Sequence, residues 1–206
     1  MSFASALPQK ISLYTEFTIF GKLIQLPYKM GGKKTPTEIS AVIGKNVTPD
    51  ASQQTIQNWV TGHSDDVGVD CSGFAYFVLN EASGGTVMKA FGNTSYANGV
   101  SAATLTSTNN GSQVTKANDI TPGCLMRTDN GGHVIVIYSV SKGSNGKVNR
   151  IDYAHSNGSK GPHKGYIIIG NSDEDLASGN QTWYDSAYTD SQAKGYYNKT
   201  MKLNCL

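Results

Sequence analysis

The sequence contains no apolar run approaching the roughly 20 residues that a membrane helix needs, so a helical span is excluded as its organising feature and no membrane insertion is expected. Cysteine is scarce. The three present, Cys71, Cys124 and Cys205, are an odd number at wide spacing, so a disulfide framework is not the default reading and at least one thiol is left free. Neither a CxxC pair nor Cys/His zinc spacing occurs, and no metal or other cofactor is expected. Cys124 and Cys205 are read either as a bridge or as two small buried hydrophobes. Charge is thin too: 16% of residues are charged, the formal net charge is +2, and the basic residues are scattered, which argues against nucleic acid as a partner. The N-terminal stretch MSFASALPQKISLYTEFTIFGKL lacks the basic start, long apolar centre and small-residue cleavage site of a signal peptide. The expectation is a chain that stays in the cytoplasm or leaves it by a route that reads no such signal.

What the chain does have is glycine, serine, threonine and asparagine in quantity, with 38% hydrophobic residues, a balance typical of loop-rich proteins with substantial sheet. Its 206 residues suit one domain over 1–206. Apolar residues from Ile11 to Ile24 recur at three- and four-residue intervals, predicting a helix over 8–26 that ends before Pro27. Residues 27–68 carry Pro36, Pro49 and several glycines around a weakly helical middle at 53–60. They read as a long loop or, over about 33–68, an inserted lobe.

From 69 to 82, VDCSGFAYFVLNEA puts Phe74, Phe77, Val78 and Ala82 on one helical face, with Asp70 or Ser72 available as cap. Residues 92–118 read as loop with short elements at most. Beyond the Pro122-Gly123 turn, Leu125 and Met126 and the runs at 133–140, 147–155 and 166–169 read as three or four buried strands. Asn145-Gly146 between two of them predicts an antiparallel hairpin. A strict two-residue turn would set His133 opposite Gly158 and leave His155 on the other face. Both imidazoles share a face only if the loop is odd in length or a bulge shifts the register. The C-terminal segment 171–206 is left unassigned.

Cys71 stands at the start of the expected helix. Free thiols are mostly protonated at neutral pH, and a helix N-terminus or a nearby imidazolium favours the thiolate. Ser72 and Gly73 are small enough to admit a carbonyl, and the Cys71 N–H is placed to hold an oxyanion. A buried structural cysteine is the plain alternative.

Five segments occur in an order seen in one family: PYKMGG at 27–32, DCSGF at 70–74, PGCLM at 122–126, GHVIVIY at 132–138 and YAHSNG at 153–158. Together they resemble the NlpC-type cell-wall peptidases. The resemblance implies an α+β, papain-like fold, with a cysteine-bearing helix packed on a small antiparallel sheet. It implies Cys71 as nucleophile, His133 as general base and His155 as the polar residue orienting it, with Tyr28 and Ser72 at the oxyanion or substrate. The implied reaction is metal-free hydrolysis of an amide in the peptidoglycan stem peptide, typically between D-glutamate and the following diamino acid. Cys124 and Ser156 depart from the family pattern, which has Asp and Ala there.

A bare core of this kind is also similar to amidase effectors injected into rival bacteria, for example by type VI secretion. Such an effector acts in a bacterial periplasm or cell wall and has a cognate immunity protein as partner. The competing readings are an acyltransferase or transamidase on the same core, and a wall-binding domain with an inert cysteine. Other candidates are His163 in place of His155, His63 as a second histidine, and Asp65, Asp66 and Asp70 as a weak metal cluster or, more simply, loop and cap carboxylates. Tyr184, Tyr188, Tyr196 and Tyr197 are read as a carbohydrate platform or as scattered tyrosines.

Overall fold

Helix formation in the first third of the chain follows its caps. Ser2 caps α1 (Phe3–Thr15), which buries Ala6, Leu7, Ile11 and Tyr14. The apolar periodicity that predicts helix to residue 26 continues past its end, but Phe20 and Gly21 both take positive φ and fold the chain into a short hairpin, β1 (Thr18–Ile19) with β2 (Lys22–Leu23). The segment read as a loop or inserted lobe is largely helical. Thr35 and Glu38 form a reciprocal capping box with Pro36 in the first turn, starting α2 (Pro36–Asn46), and Ser52 caps α3 (Gln53–Gly62). A short α4 (Ser64–Val67) follows. Ile39, Ile43, Ile56 and Val60 are fully buried in the same core as α1, so this region belongs to the main body.

Asp70 then starts α5 (Cys71–Ala82), whose residues from Cys71 to Asn80 are all buried. Two short helices, α6 (Thr86–Ala90) and α7 (Ala102–Leu105), lead into the sheet. In the computed structural model the residues described are 2–128, 132–158, 160–173, 175–178, 181–186 and 199–206.

The sheet comprises β3 (Gly111–Val114), β4 (Leu125–Thr128), β5 (His133–Lys142), β6 (Val148–Asn157), β7 (Gly161–Ile169), β8 (Gln181–Asp185) and β9 (Lys199–Leu203), in the order β3-β9-β4-β5-β6-β7-β8, antiparallel throughout. It is larger than expected because the unassigned C-terminal segment supplies β8 and β9, and the segment 92–118, read as loop with short elements at most, supplies β3. Leu125, Val134, Val136 and Ala154 pack towards the helices. Met126, Ile135, Ile137, Tyr153, Ile167 and Trp183 form a second core on the other face, with Ala117, Ile120 and Leu176. The result is a mixed α+β fold, several helices packed against a large antiparallel sheet. Among the described residues no helix is long and apolar enough to cross a membrane.

The β5–β6 hairpin has the irregularity that the two histidines require. Lys142 pairs with Val148, so the loop between them has odd length, and register shifts follow at Ser141/Lys142 and at Ile137/Ser139. By Val136↔Ala154 the parity places His133 and His155 on one face. Tyr138 is the extra residue of the second shift.

Candidate active site

The Asp70 cap is held from several sides. Its carboxylate accepts the Gly73 N–H (2.5 Å) and the Gly31 N–H (3.0 Å), and Lys33 Nζ donates to both oxygens at 2.9 Å. The turn at 29–32 that brings Gly31 in closes by Gly32 N–H to Lys29 O, and Asp70 N–H bonds back to Gly32 O. A side chain at Gly32 would meet the Gly68 carbonyl oxygen at 2.2 Å, so only glycine allows the two segments to touch. The PYKMGG segment therefore clamps the start of α5. From the sheet, Ser156 Oγ donates to Val69 O at 2.6 Å, a tie that alanine could not make.

This clamp presents Cys71 at the floor of a cleft of about 400 Å³, lined also by Tyr28, Met30, Lys33, Ser72 and Gly132. The Cys71 N–H, first in the helix, has no intrahelical acceptor and sits at the positive end of the dipole. Ser72 lines the cleft with its hydroxyl committed: it accepts from Lys33 Nζ (2.6 Å) and donates to Asp70 (3.1 Å). Ser72 thus positions Lys33 and has no hydroxyl proton to offer an oxyanion.

The thiol lies against the backbone on either side of His133: Sγ is 4.0 Å from Gly132 O, and the Val134 N–H points to it. Among the described residues no hydrogen bond joins Sγ to the His133 ring itself. Burial pushes the Cys71 thiol up, and the Asp70 charge adds to this. The Val134 N–H, Lys33 and the Ser72 N–H pull the other way without overcoming burial.

Behind His133 runs a buried chain of polar groups. His133 Nε2 lies 2.6 Å from His155 Nδ1. His155 Nε2 is 2.8 Å from Asp185 Oδ2 and 3.0 Å from His163 Nε2. His163 Nε2 is 2.8 Å from Asp185 Oδ1, and the Tyr153 hydroxyl donates to Oδ2 at 2.7 Å. Register explains the convergence, since His155 pairs with His163, and Asp185 pairs with Gly165 two residues along. Gly165 has no side chain there because the Tyr153 ring occupies the place its Cβ would take, 2.5 Å away.

No family model, curated protein or solved structure matches this chain.

Burial would raise the Asp185 carboxyl, but hydrogen bonds from His155 and His163 outweigh it and hold the group far below the usual carboxylate range. Burial, reinforced by the neighbouring imidazoles, holds His133 well below an ordinary histidine, and burial lowers His155 against the pull of Asp185. The centre is therefore an ionised carboxylate with two neutral rings. A carboxylate only accepts, so His155 carries its proton on Nε2 and its Nδ1 accepts from His133 Nε2–H. His133 Nδ1 is then the basic nitrogen.

The structure thus brings Cys71, Tyr28 and Ser72 to one cleft, and links His133 to His155. His163 joins that network beside His155 instead of replacing it. Sequence reasoning missed Lys33 and Asp185: neither sits in a motif, and Asp185 lies in the segment left unassigned. Among the described residues the set able to hold a metal ion is His155, His163 and Asp185. Of the carboxylates at 65, 66 and 70, Asp65 pairs with Lys29 and Asp70 caps α5. His63 is exposed, stacked on Trp59 and bonded to its carbonyl (2.7 Å). Tyr184 stacks on Tyr166, while Tyr188, Tyr196 and Tyr197 lie outside the described residues. All three cysteines are free.

Proposed function

We propose that the protein is a papain-like cysteine amidase of the NlpC type that hydrolyses an amide in the peptide part of peptidoglycan. The observation that carries the reading is the placement of Cys71 at a helix N-terminus, against the residues flanking a neutral His133 whose Nε2 is engaged by His155. His133 Nδ1 takes the thiol proton as Sγ attacks the substrate carbonyl carbon. The resulting oxyanion is held by the Cys71 N–H, with Tyr28 beside it on the cleft wall. His133 then returns the proton to the departing amine, and a water activated by the same nitrogen releases the acyl group.

The five ordered segments direct the choice of substrate to the stem peptide, between D-glutamate and the diamino acid. The likeness of such a core to injected amidase effectors also suits a protein that acts in a rival's periplasm and is neutralised by an immunity protein. A second reading has its own support: among the described residues the thiol bonds to backbone alone and burial raises it, as in an inert cysteine of a wall-binding domain. Mass spectrometry of peptidoglycan fragments after incubation with wild type, Cys71→Ala and His133→Ala separates the two. The expected result is cleavage of one stem-peptide amide by wild type, with loss of at least 100-fold in both variants. Intact fragments throughout would favour the binding domain, and products joined to an added amine would indicate acyl transfer.

A further inference from the structure

We propose that His155, His163 and Asp185 form a buried binding site for a divalent cation of the zinc type. The three side chains come from adjacent strands β6, β7 and β8, and their donor atoms all lie within 4.8 Å of one another. The His155, His163 and Asp185 side chains are 0%, 9% and 0% exposed, so water competes little for the site, and His163 marks the side from which an ion enters.

Each ligand is oriented from behind. His163 donates Nδ1–H to Gly161 O at 2.8 Å, the backbone contact characteristic of a metal-binding histidine, and this aims Nε2 into the cluster. Nε2 lies 2.8 Å from Asp185 Oδ1. A divalent cation here would take the place of the imidazole protons that bond the carboxylate. Tyr153 fixes the carboxylate through Oδ2.

Imidazole nitrogen and carboxylate oxygen are the hard-to-borderline donors that zinc accepts, with bonds of about 2.0–2.2 Å and tetrahedral ligand atoms about 3.3 Å apart. The observed separations of 2.8 to 3.0 Å mean that the cluster opens slightly on loading. The fourth position is left for water.

A consequence follows for the thiol, and it rests on the reading of His133 as base. Coordination through Nε2 moves the His155 proton to Nδ1, which faces His133 Nε2. His133 must then carry its own proton on Nδ1, where the thiol proton has to go. The metal-loaded protein is the latent form.

Calorimetric titration of chelator-treated protein with zinc tests the site, with no need for peptidase activity. One ion per chain is expected, with affinity at least tenfold weaker in His163→Ala and in Asp185→Asn but retained in Cys71→Ala. Zinc X-ray absorption of the wild-type protein guards against a variant that misfolds: imidazole and oxygen scatterers support the site, and a sulfur scatterer overturns it. Absence of binding by wild type also overturns it. Slower Cys71 alkylation on zinc loading in wild type but not in His163→Ala supports the latent form, and unchanged alkylation at full loading overturns that consequence alone.

Discussion

At the scale of single residues, the balance acting on Cys71 makes a prediction about its resting state. A helix N-terminus favours a thiolate, yet burial pushes the thiol up and a neutral His133 supplies no positive charge. The free protein should hold a neutral thiol beside a neutral imidazole, not a preformed ion pair. Since only thiolate alkylates, iodoacetamide modification of Cys71 should be slow at neutral pH and rise to an inflection above the ordinary thiol value of about 8.5. Peptide mass mapping of alkylation against pH reads this directly, and a rate already at plateau near neutrality would show the ion pair instead. Cys71, His133 and His155 were legible because each lies in a short motif near one end of a helix or strand. Asp185 and Lys33 were not, since they reach the site through register and a turn clamp, which spacing along the chain does not encode.

At the scale of elements, the start of α5 depends on one carboxylate with two duties. Asp70 caps the helix and neutralises Lys33, whose side chain is only 20% exposed. Asp70→Ala removes a cap worth about 1 kcal/mol and strands a mostly buried ammonium, for a combined loss of about 2–4 kcal/mol after allowing for its partial exposure. Asp70→Asn keeps a cap acceptor and forfeits the charge pairing, so its loss should be the smaller of the two. Urea unfolding of the three proteins checks the order, and equal midpoints would show that Lys33 finds other partners. The helices of 27–68 were hidden by their prolines, although Pro36 sits where a helix begins and the Thr35/Glu38 pair was a readable start. The hairpin was readable to the level of its bulge, because the demand that two imidazoles share a face fixed the parity of the register.

At the scale of the molecule, the sheet is closed by the part of the chain that carried least pattern. β9 lies between β3 and β4, so the last strand of the chain is an inner one, flanked by partners some 90 and 75 residues earlier in the chain. Its five residues offer only Met201 and Leu203 as alternating apolar positions, too short a run to distinguish a strand from a tail. Yet Thr200, Met201 and Leu203 are buried, and Met201 is fully so. Pairing at such sequence separation makes β4 and β5, and with them His133, dependent on a strand that contributes no residue to the candidate site. Met201→Ala should cost about 2–5 kcal/mol, the range for truncating a fully buried Met. Removal of 199–206 leaves β4 with an unpaired edge and a void beneath it, so thermal unfolding followed by circular dichroism should lose its cooperative transition. A truncated chain that still melts cooperatively within a few degrees of wild type would mean that the helices and β4–β8 form a self-sufficient core, with β3 and β9 added to its edge.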